Sequence, residues 1–550
     1  MTTRREEVAN LGDLLAQSVA RYGDRVALQV HRHGEWLRLT YRELLDLARA
    51  WSSTLDVAPG DRVLLVAESS PEWAIAYFAV MLRGGTVVPL DPQLSLADLG
   101  AIADRVGARL WLVSHTVAER LAGVPGLVEI TDFAAVPIAP TQEARGPEAS
   151  ARADVASIPF TSGTTLAPKG VPLTHANFLA NVRALVTVAE IDERDQFLCV
   201  LPLHHVLAFT ASLIAPLSAG AAVTFVEKLT PRALLEAMQA THTTLVIAVP
   251  RLLALLVRGV RANVEAAPPL TRVLFRLFTL KARAWRGIGR AVPLLAPAFR
   301  ALRALLFRGI HRRFGGHLRF FVSGGAALPP EYYDALDLYG FRVCEGYGLT
   351  ETSPVLTLTP PGRPRRGTVG PAVPGVELRI AEPNEEGVGE VLARGPSVFG
   401  GYLEGEGADR FVEGWFRTGD LGRLDRAGYL RLAGRADDVI VTGGGKNVYP
   451  VEVEWLYRDL PHVKEFCVLG LPDPGSAGEA VQAVVVLEEA PDDASAQAWR
   501  SDVEAAITQR ARQLPTHQRL RGVHFWEGEL PRTPTLKIKR RQIRSTLLRK

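Results

Sequence analysis

Residues 160–170 read FTSGTTLAPKG, a run of small hydroxyl residues and glycine that closes on Pro168, Lys169 and Gly170. Such a loop can aim several backbone N–H groups at one point. The hydroxyls of Thr161, Ser162, Thr164 and Thr165 add donors, Gly163 adds freedom, and Lys169 adds positive charge. That combination is a cradle for phosphate oxygens. The spacing differs from the Walker A pattern, in which Gly-Lys precedes Ser or Thr. Taken alone, the composition also fits a flexible surface loop.

A phosphate cradle needs a rigid frame, and the flanking sequence supplies one. Strand-length apolar runs alternate with helix-length amphipathic segments: RVLLVA (62–67), PEWAIAYFAVMLR, TVVPLD, and later TTLVIAVP and RLLALLVRGV. This alternation predicts an α/β fold of layered subdomains with largely parallel sheets. After about Gly434 the character changes to a shorter α+β segment, with strands EFCVLGLP and AVQAVVVLEE and the basic tail LPRTPTLKIKRRQIR. The expected division is a large domain over 1–434 and a smaller mobile domain over 435–550.

At 550 residues the chain exceeds a single core. With 47% hydrophobic and 22% charged residues it has the composition of an ordinary soluble protein, and a net charge of +4 gives no reason to expect nucleic acid. Cys199, Cys344 and Cys467 are too far apart for a disulfide framework or a metal site. No secretion signal is read in MTTRREEVANLGDLL, so a cytoplasmic location is expected. The uncharged stretch Val206–Val226 is long enough to span a bilayer, but Pro216 and Gly220 divide it into a short apolar helix, a turn and a strand. A basic helical insert over about 266–318 lacks any Asp or Glu, the gap running from Glu265 to Glu331. Its Arg-studded amphipathic helices suit either plain solvation or peripheral contact with the anionic inner face of a membrane.

Six segments in order, FTSGTTLAPKG, LPLHHVLAF, FFVSGGAAL, EGYGLTETSP, GWFRTGDLGRLDRAGYLRLAGRADD and PRTPTLKIKRR, resemble the adenylate-forming superfamily of acyl-CoA synthetases, adenylation domains and luciferases. The resemblance implies ATP, Mg²⁺ and coenzyme A. A carboxylate would join the α-phosphate of ATP with loss of pyrophosphate, and a thiol would then take the acyl group with loss of AMP. It places Glu351 and Thr161 at the Mg²⁺, and Thr350 at the α-phosphate. Gly324, Gly325, Ala326, Glu345, Gly346, Tyr347 and Gly348 fall around the base, with Tyr347 as its flat face. The paired oxygens of Asp420 suit the two ribose hydroxyls, and Arg435 adds a fork of donors. His205 falls beside the acyl carboxylate, while His204 reads as a core histidine. Lys537 is the mobile cation of adenylation, Asp437 the hinge, and Gly444, Gly445 and Lys446 the loop that meets the pantetheine chain.

Within that superfamily the sequence is most similar to long-chain fatty acyl-CoA synthetases, in SGGAALPPEYYDALDLYGFRVCEGYGLTETSPV, GGKNVYPVEVE and TPTLKIKR. The expected substrate is therefore a fatty acid with CoA as acceptor. An acyl carrier protein as acceptor, or a catalytically silent acyl and nucleotide sensor, are the other readings. Leu166 stands where the phosphate loop usually has Gly, and Leu536 where Gly is common.

Overall fold

Ser70-Pro71-Glu72 starts a helix by ordinary local rules. The Ser70 hydroxyl accepts the Trp73 N–H at 3.2 Å, and Pro71 occupies the first turn, where no N–H is needed. The helix Pro71–Leu82 that follows is buried along almost its whole length, because it packs between the helix Tyr41–Thr54 and the covered face of a parallel sheet. The computed structural model describes residues 8–121, 123–130, 132–133, 154–161, 168–405, 407–444, 446–457, 460–473, 478–532 and 538–549.

The chain packs as two compact units. The first combines the chain up to Thr161 with Lys169–Glu377 and Arg394–Phe411, and the second combines Leu378–Ala393 with the chain from Val412 onward. In the first unit an eight-stranded sheet runs in the order Val355–Leu358, Val343–Gly348, Phe320–Ser323, Leu245–Ala248, Gln196–Cys199, Ala222–Phe225, Val26–Arg32, Glu35–Thr40. Its six inner strands are parallel and its two edges antiparallel. A six-stranded sheet centred on Arg62–Val66 is likewise mostly parallel. The α/β expectation holds.

The second unit has a five-stranded sheet and a three-stranded sheet of Val463–Pro472, Glu479–Leu487 and Gly522–Phe525, covered by the helix Asp493–Ala511 around Val453, Tyr457, Val485, Val503 and Ile507. The division by packing falls elsewhere than the sequence boundary at 434/435. The strand Trp415–Leu424 pairs with both Gly389–Arg394 and Leu430–Arg435, and these pairings draw residues on the N-terminal side of 434 into the second unit.

Val206–Val226 forms the buried helix–turn–strand unit expected, but its helical part is a π-helix, Ala208–Ile214, running into a short α-turn, Ala215–Ser218. No helix among the described residues is long and apolar enough to cross a membrane. The basic insert is helical, as Pro269–Ala291, Ala296–Leu306 and Arg308–Arg313.

Candidate active site

In open α/β sheets ligands collect beyond the carboxyl ends of the strands. Four adjacent parallel strands of the larger sheet end there, and three of them lead to predicted residues. Gln196–Cys199 leads to His204 and His205, and Leu245–Ala248 leads to Val249. Phe320–Ser323 leads to Gly324, Gly325 and Ala326, and Val343–Gly348 leads to Thr350 and Glu351.

The last turn is forced by close packing. A Cβ on Gly348 would stand 1.7 Å from the Pro354 carbonyl oxygen, which accepts the Leu349 N–H at 3.0 Å. Only glycine lets the chain double back so tightly and present the short helical turn Thr350–Thr352. At the SGG turn, Gly325 has φ +81° and the Leu207 side chain closes on Gly324. That contact places the His205 segment against the glycine turn.

Glu351 is buried, and its Oε1 accepts the Tyr402 hydroxyl at 2.7 Å. Its backbone carbonyl accepts the Phe399 N–H at 2.9 Å. The Lys169 Nζ lies 5.1 Å from the centre of the Tyr402 ring, within cation–π range. Lys169 pairs with Thr161 where the two-residue strands Phe160–Thr161 and Lys169–Gly170 meet, and the Thr161 hydroxyl reaches the Lys169 carbonyl at 3.5 Å. Lys169 and Glu351 are therefore joined through the Tyr402 ring, and Thr161 is tied to Lys169 by the strand pairing. The helix His175–Ala189 braces both sides: Asn177 donates to the carbonyls of Pro396 (2.8 Å) and Val398 (3.1 Å), and Asn181 donates to that of Val355 (2.7 Å). Burial, then the Glu351 carboxylate, raise the pKa of Tyr402, so its phenol remains a donor.

Tyr402 was not legible as a site residue. It stands 51 residues beyond Glu351, and the Gly400-Gly401 pair before it was its only local signal. Tyr402→Phe keeps the ring under Lys169 and removes the donor to Glu351. The expected result is a roughly tenfold fall in the rate of pyrophosphate release with unchanged melting temperature, read by a coupled assay and thermal unfolding.

The rings of His204 and His205 lie 4.2 Å apart. Burial lowers the pKa of both, to about 3 for His204, while Asp91 opposes the shift at His205. Two neutral imidazoles result. His204 is not the satisfied core histidine expected, because its buried Nε2 makes no hydrogen bond to the described residues. Tyr347 is buried in the strand opposite Thr357, and Gly346 pairs with Leu358.

Glu345 is buried, and its pKa is pushed up to about 7 because desolvation outweighs the backbone bonds from Leu328 and Gly367. A raised acid binds its proton on folding. Its stabilising contribution is complete below the ordinary value of 4.5 and is lost as pH rises through 7. Relative to a Glu345→Gln variant, the native chain should therefore lose stability between pH 5 and 8, by up to roughly 3 kcal/mol. Urea unfolding of both proteins at the two pH values checks this.

The second unit carries its own set of residues. Asp420 and Arg435 face each other on paired strands, with Arg435 Nε 2.8 Å from Asp420 Oδ1. Asp437 lies in the turn Ala436–Asp438 and pairs with Arg541 at 2.9 Å. Arg540 reaches Asp438 at 3.1 Å and Glu454 at 2.7 Å. Gly444 and Lys446 sit in the exposed turn between Ile440–Val441 and Asn447–Val448, where the Lys446 carbonyl accepts the Thr442 N–H at 3.0 Å. Ser162, Gly163, Thr164, Thr165, Leu166, Gly445, Leu536 and Lys537 lie outside the described residues.

Mg²⁺ takes hard oxygen ligands and keeps several waters and substrate phosphates, so it needs only one or two protein donors. The buried Glu351 carboxylate and the Thr161 hydroxyl are of that kind, and Tyr402 engages Glu351 through Oε1. No cluster of three His, Cys, Asp or Glu suited to a metal occurs among the described residues.

A buried carboxylate and a glycine turn beyond parallel strands, with a lysine-bearing hairpin beside them, are what the resemblance to adenylate-forming enzymes leads one to expect. Comparison with known proteins agrees. The family described as AMP-binding enzyme matches residues 15–403, and the AMP-binding enzyme C-terminal domain matches residues 452–537. The chain belongs to this family. It is an ATP-dependent acyl–CoA ligase of the AMP-forming type, acting through an acyl-adenylate with ATP, Mg²⁺ and CoA. Long-chain-fatty-acid–CoA ligase FadD15 of Mycobacterium bovis is 29% identical, over 92% of this chain and 90% of its own. Malonate–CoA ligase of Arabidopsis thaliana is 30% identical, over 78% and 69%. The crystal structure of ATP-bound MatB from Rhodopseudomonas palustris superposes with a TM-score of 0.75 at 26% identity, covering 98% of this chain and 99% of that one.

Proposed function

We propose that the chain activates long-chain fatty acids and transfers them to CoA. The observation that carries this reading is the apolar character of the His205 side of the site. All seven residues of the π-helix Ala208–Ile214 are buried, and Phe209 packs against Tyr77 (4.4 Å between ring centres), Phe178 (5.2 Å) and Trp73 (6.0 Å). A short dicarboxylate would need a buried cation for its second charge. Among the described residues Arg303 is the one buried Lys or Arg, and Asp337 already engages it at 3.2 Å. The likeness to FadD15 over nearly the full length of both chains supports the same substrate class.

In this reading Lys169 and the hairpin loop hold the phosphates, and Glu351 with Thr161 would hold Mg²⁺, which when bound spreads the phosphate charge. The neutral His205 would donate its ring N–H to the fatty carboxylate, which stays ionised as the nucleophile. A carboxylate oxygen attacks the α-phosphorus, and pyrophosphate leaves as Lys537 offsets the charge of the two anions. A pivot at Asp437 then brings the 443–450 turn to the thioester step. There the CoA thiolate attacks the acyl carbonyl and AMP departs.

Each methylene moved from water to an apolar channel contributes about 0.8 kcal/mol, so preference should climb with chain length. Pyrophosphate release measured with C4 to C18 carboxylates and with malonate, each with and without CoA, tests the reading. Rising kcat/KM towards the longer chains and CoA-dependent turnover are expected. A preference for malonate or for short acids, or turnover with a carrier protein and none with CoA, would contradict it.

A further inference from the structure

We infer that the helical insert docks on the surface of an anionic lipid bilayer. The helix Pro269–Ala291 has two apolar faces where a soluble helix has one. The inner face is Phe275, Thr279, Ala282 and Arg286. Phe275 packs on Phe307 (5.7 Å) and Tyr339 (6.0 Å), Ala282 is fully buried, and Arg286 pairs with Asp334 at 3.3 Å. These contacts fix the helix on the first unit and leave its other side to solvent.

That other side is a second stripe. Leu270, Leu274, Leu277 and Leu280 recur at three- and four-residue spacing and are 70%, 41%, 54% and 60% exposed. The exposed apolar surface continues beyond the helix in Leu294, 90% exposed, and Leu305, 65% exposed. Elsewhere the exposed large apolar residues are scattered, as on any soluble protein; here they are concentrated in one segment. Arg272, Arg276 and Arg283, all exposed, fall at the spacing that sets them between the two apolar faces, and no acidic residue occurs from 266 to 330.

Charge selects the occupant. A second copy of the chain docked through the same stripe would set one arginine row against another with no carboxylate between them. An anionic headgroup layer instead neutralises the arginines while the leucines enter the acyl boundary. The contact is superficial, since no described helix can span a bilayer. It requires no assumption about the substrate.

The test is co-sedimentation of the full chain with vesicles of phosphatidylcholine alone or mixed with phosphatidylglycerol, alongside light scattering of the protein without lipid. Binding at least tenfold tighter to the phosphatidylglycerol vesicles, weakened by salt, is expected. Replacing Leu270, Leu277 and Leu280 together with Ser, or Arg272, Arg276 and Arg283 together with Gln, should each reduce that binding tenfold or more. Both variants should keep the native pyrophosphate release with a short, water-soluble carboxylate. The inference is overturned by absence of vesicle binding, by equal binding to both vesicle types, or by binding that survives both triple substitutions. Protein dimers that the leucine variant disperses, without lipid binding, would overturn it in favour of a second copy.

Discussion

Glu351→Gln is expected to slow pyrophosphate release by about 10²–10³-fold while leaving the fold intact. The amide matches the carboxylate in shape, and its oxygen can still accept the Tyr402 hydroxyl that now sits 2.7 Å from Oε1. The Phe399 N–H bonds to the backbone of residue 351 and is unaffected. What disappears is the buried negative charge that would help hold Mg²⁺, so the loss should fall on the adenylation step rather than on stability. Glu351→Asp keeps the charge but draws it back from Tyr402, and should lie between the two. Single-turnover pyrophosphate release with and without excess Mg²⁺, together with melting curves, separates these outcomes. A Gln variant of native rate would remove Glu351 from the chemistry.

The second large effect concerns stability. Arg540 is held by both oxygens of Glu454 (2.7 and 2.8 Å), by Asp438 (3.1 Å) and, through Nε, by the Val468 carbonyl (3.1 Å). Burial disfavours its charge, but Glu454 beside it more than offsets this, and the guanidinium stays ionised. Glu454 also accepts the Val468 N–H at 2.7 Å, so one ion pair joins the helix Arg540–Leu547, the strand Val463–Pro472 and the turn at Asp438. Arg540→Ala leaves Glu454, 18% exposed, without its cation, and breaking such a largely desolvated pair costs about 3 kcal/mol. Denaturant unfolding should show the second unit melting early, with the transition of the first unit unmoved. Replacing both Arg540 and Glu454 with Met should recover most of the loss, because no uncompensated charge then remains. The same turn carries Asp437, so on the pivot proposed above the single variant should also impair the CoA-dependent step more than adenylation.

What the sequence disclosed was mostly local or periodic. The helix Pro71–Leu82 and the strands Arg62–Val66 and Thr86–Leu90 follow from caps, apolar runs and turn residues within a dozen positions. The candidate phosphate loop stood out by its hydroxyl, glycine and lysine content, and of it Thr161, Pro168, Lys169 and Gly170 lie among the described residues. Hidden features depend on tertiary approach. Tyr402 matters because it comes between Lys169 and Glu351, which no spacing announces. Asp420 and Arg435 were each identifiable, but their 2.8 Å contact depends on strand register. The π-helix at Ala208–Ile214 has the composition of an ordinary apolar helix, and the unsatisfied Nε2 of His204 is a fact of packing. Arg540 and Lys539 look alike in a basic tail; burial against Glu454 distinguishes them.

The most direct measurement is exchange of labelled pyrophosphate into ATP with a C16 fatty acid, Mg²⁺ and no CoA. Exchange reports reversible adenylate formation alone. Carboxylate-dependent exchange in the native chain, falling about tenfold in Tyr402→Phe and a further tenfold or more in Glu351→Gln, is the predicted result. Tight binding of ATP and fatty acid with no exchange, or exchange indifferent to both substitutions, would contradict the account.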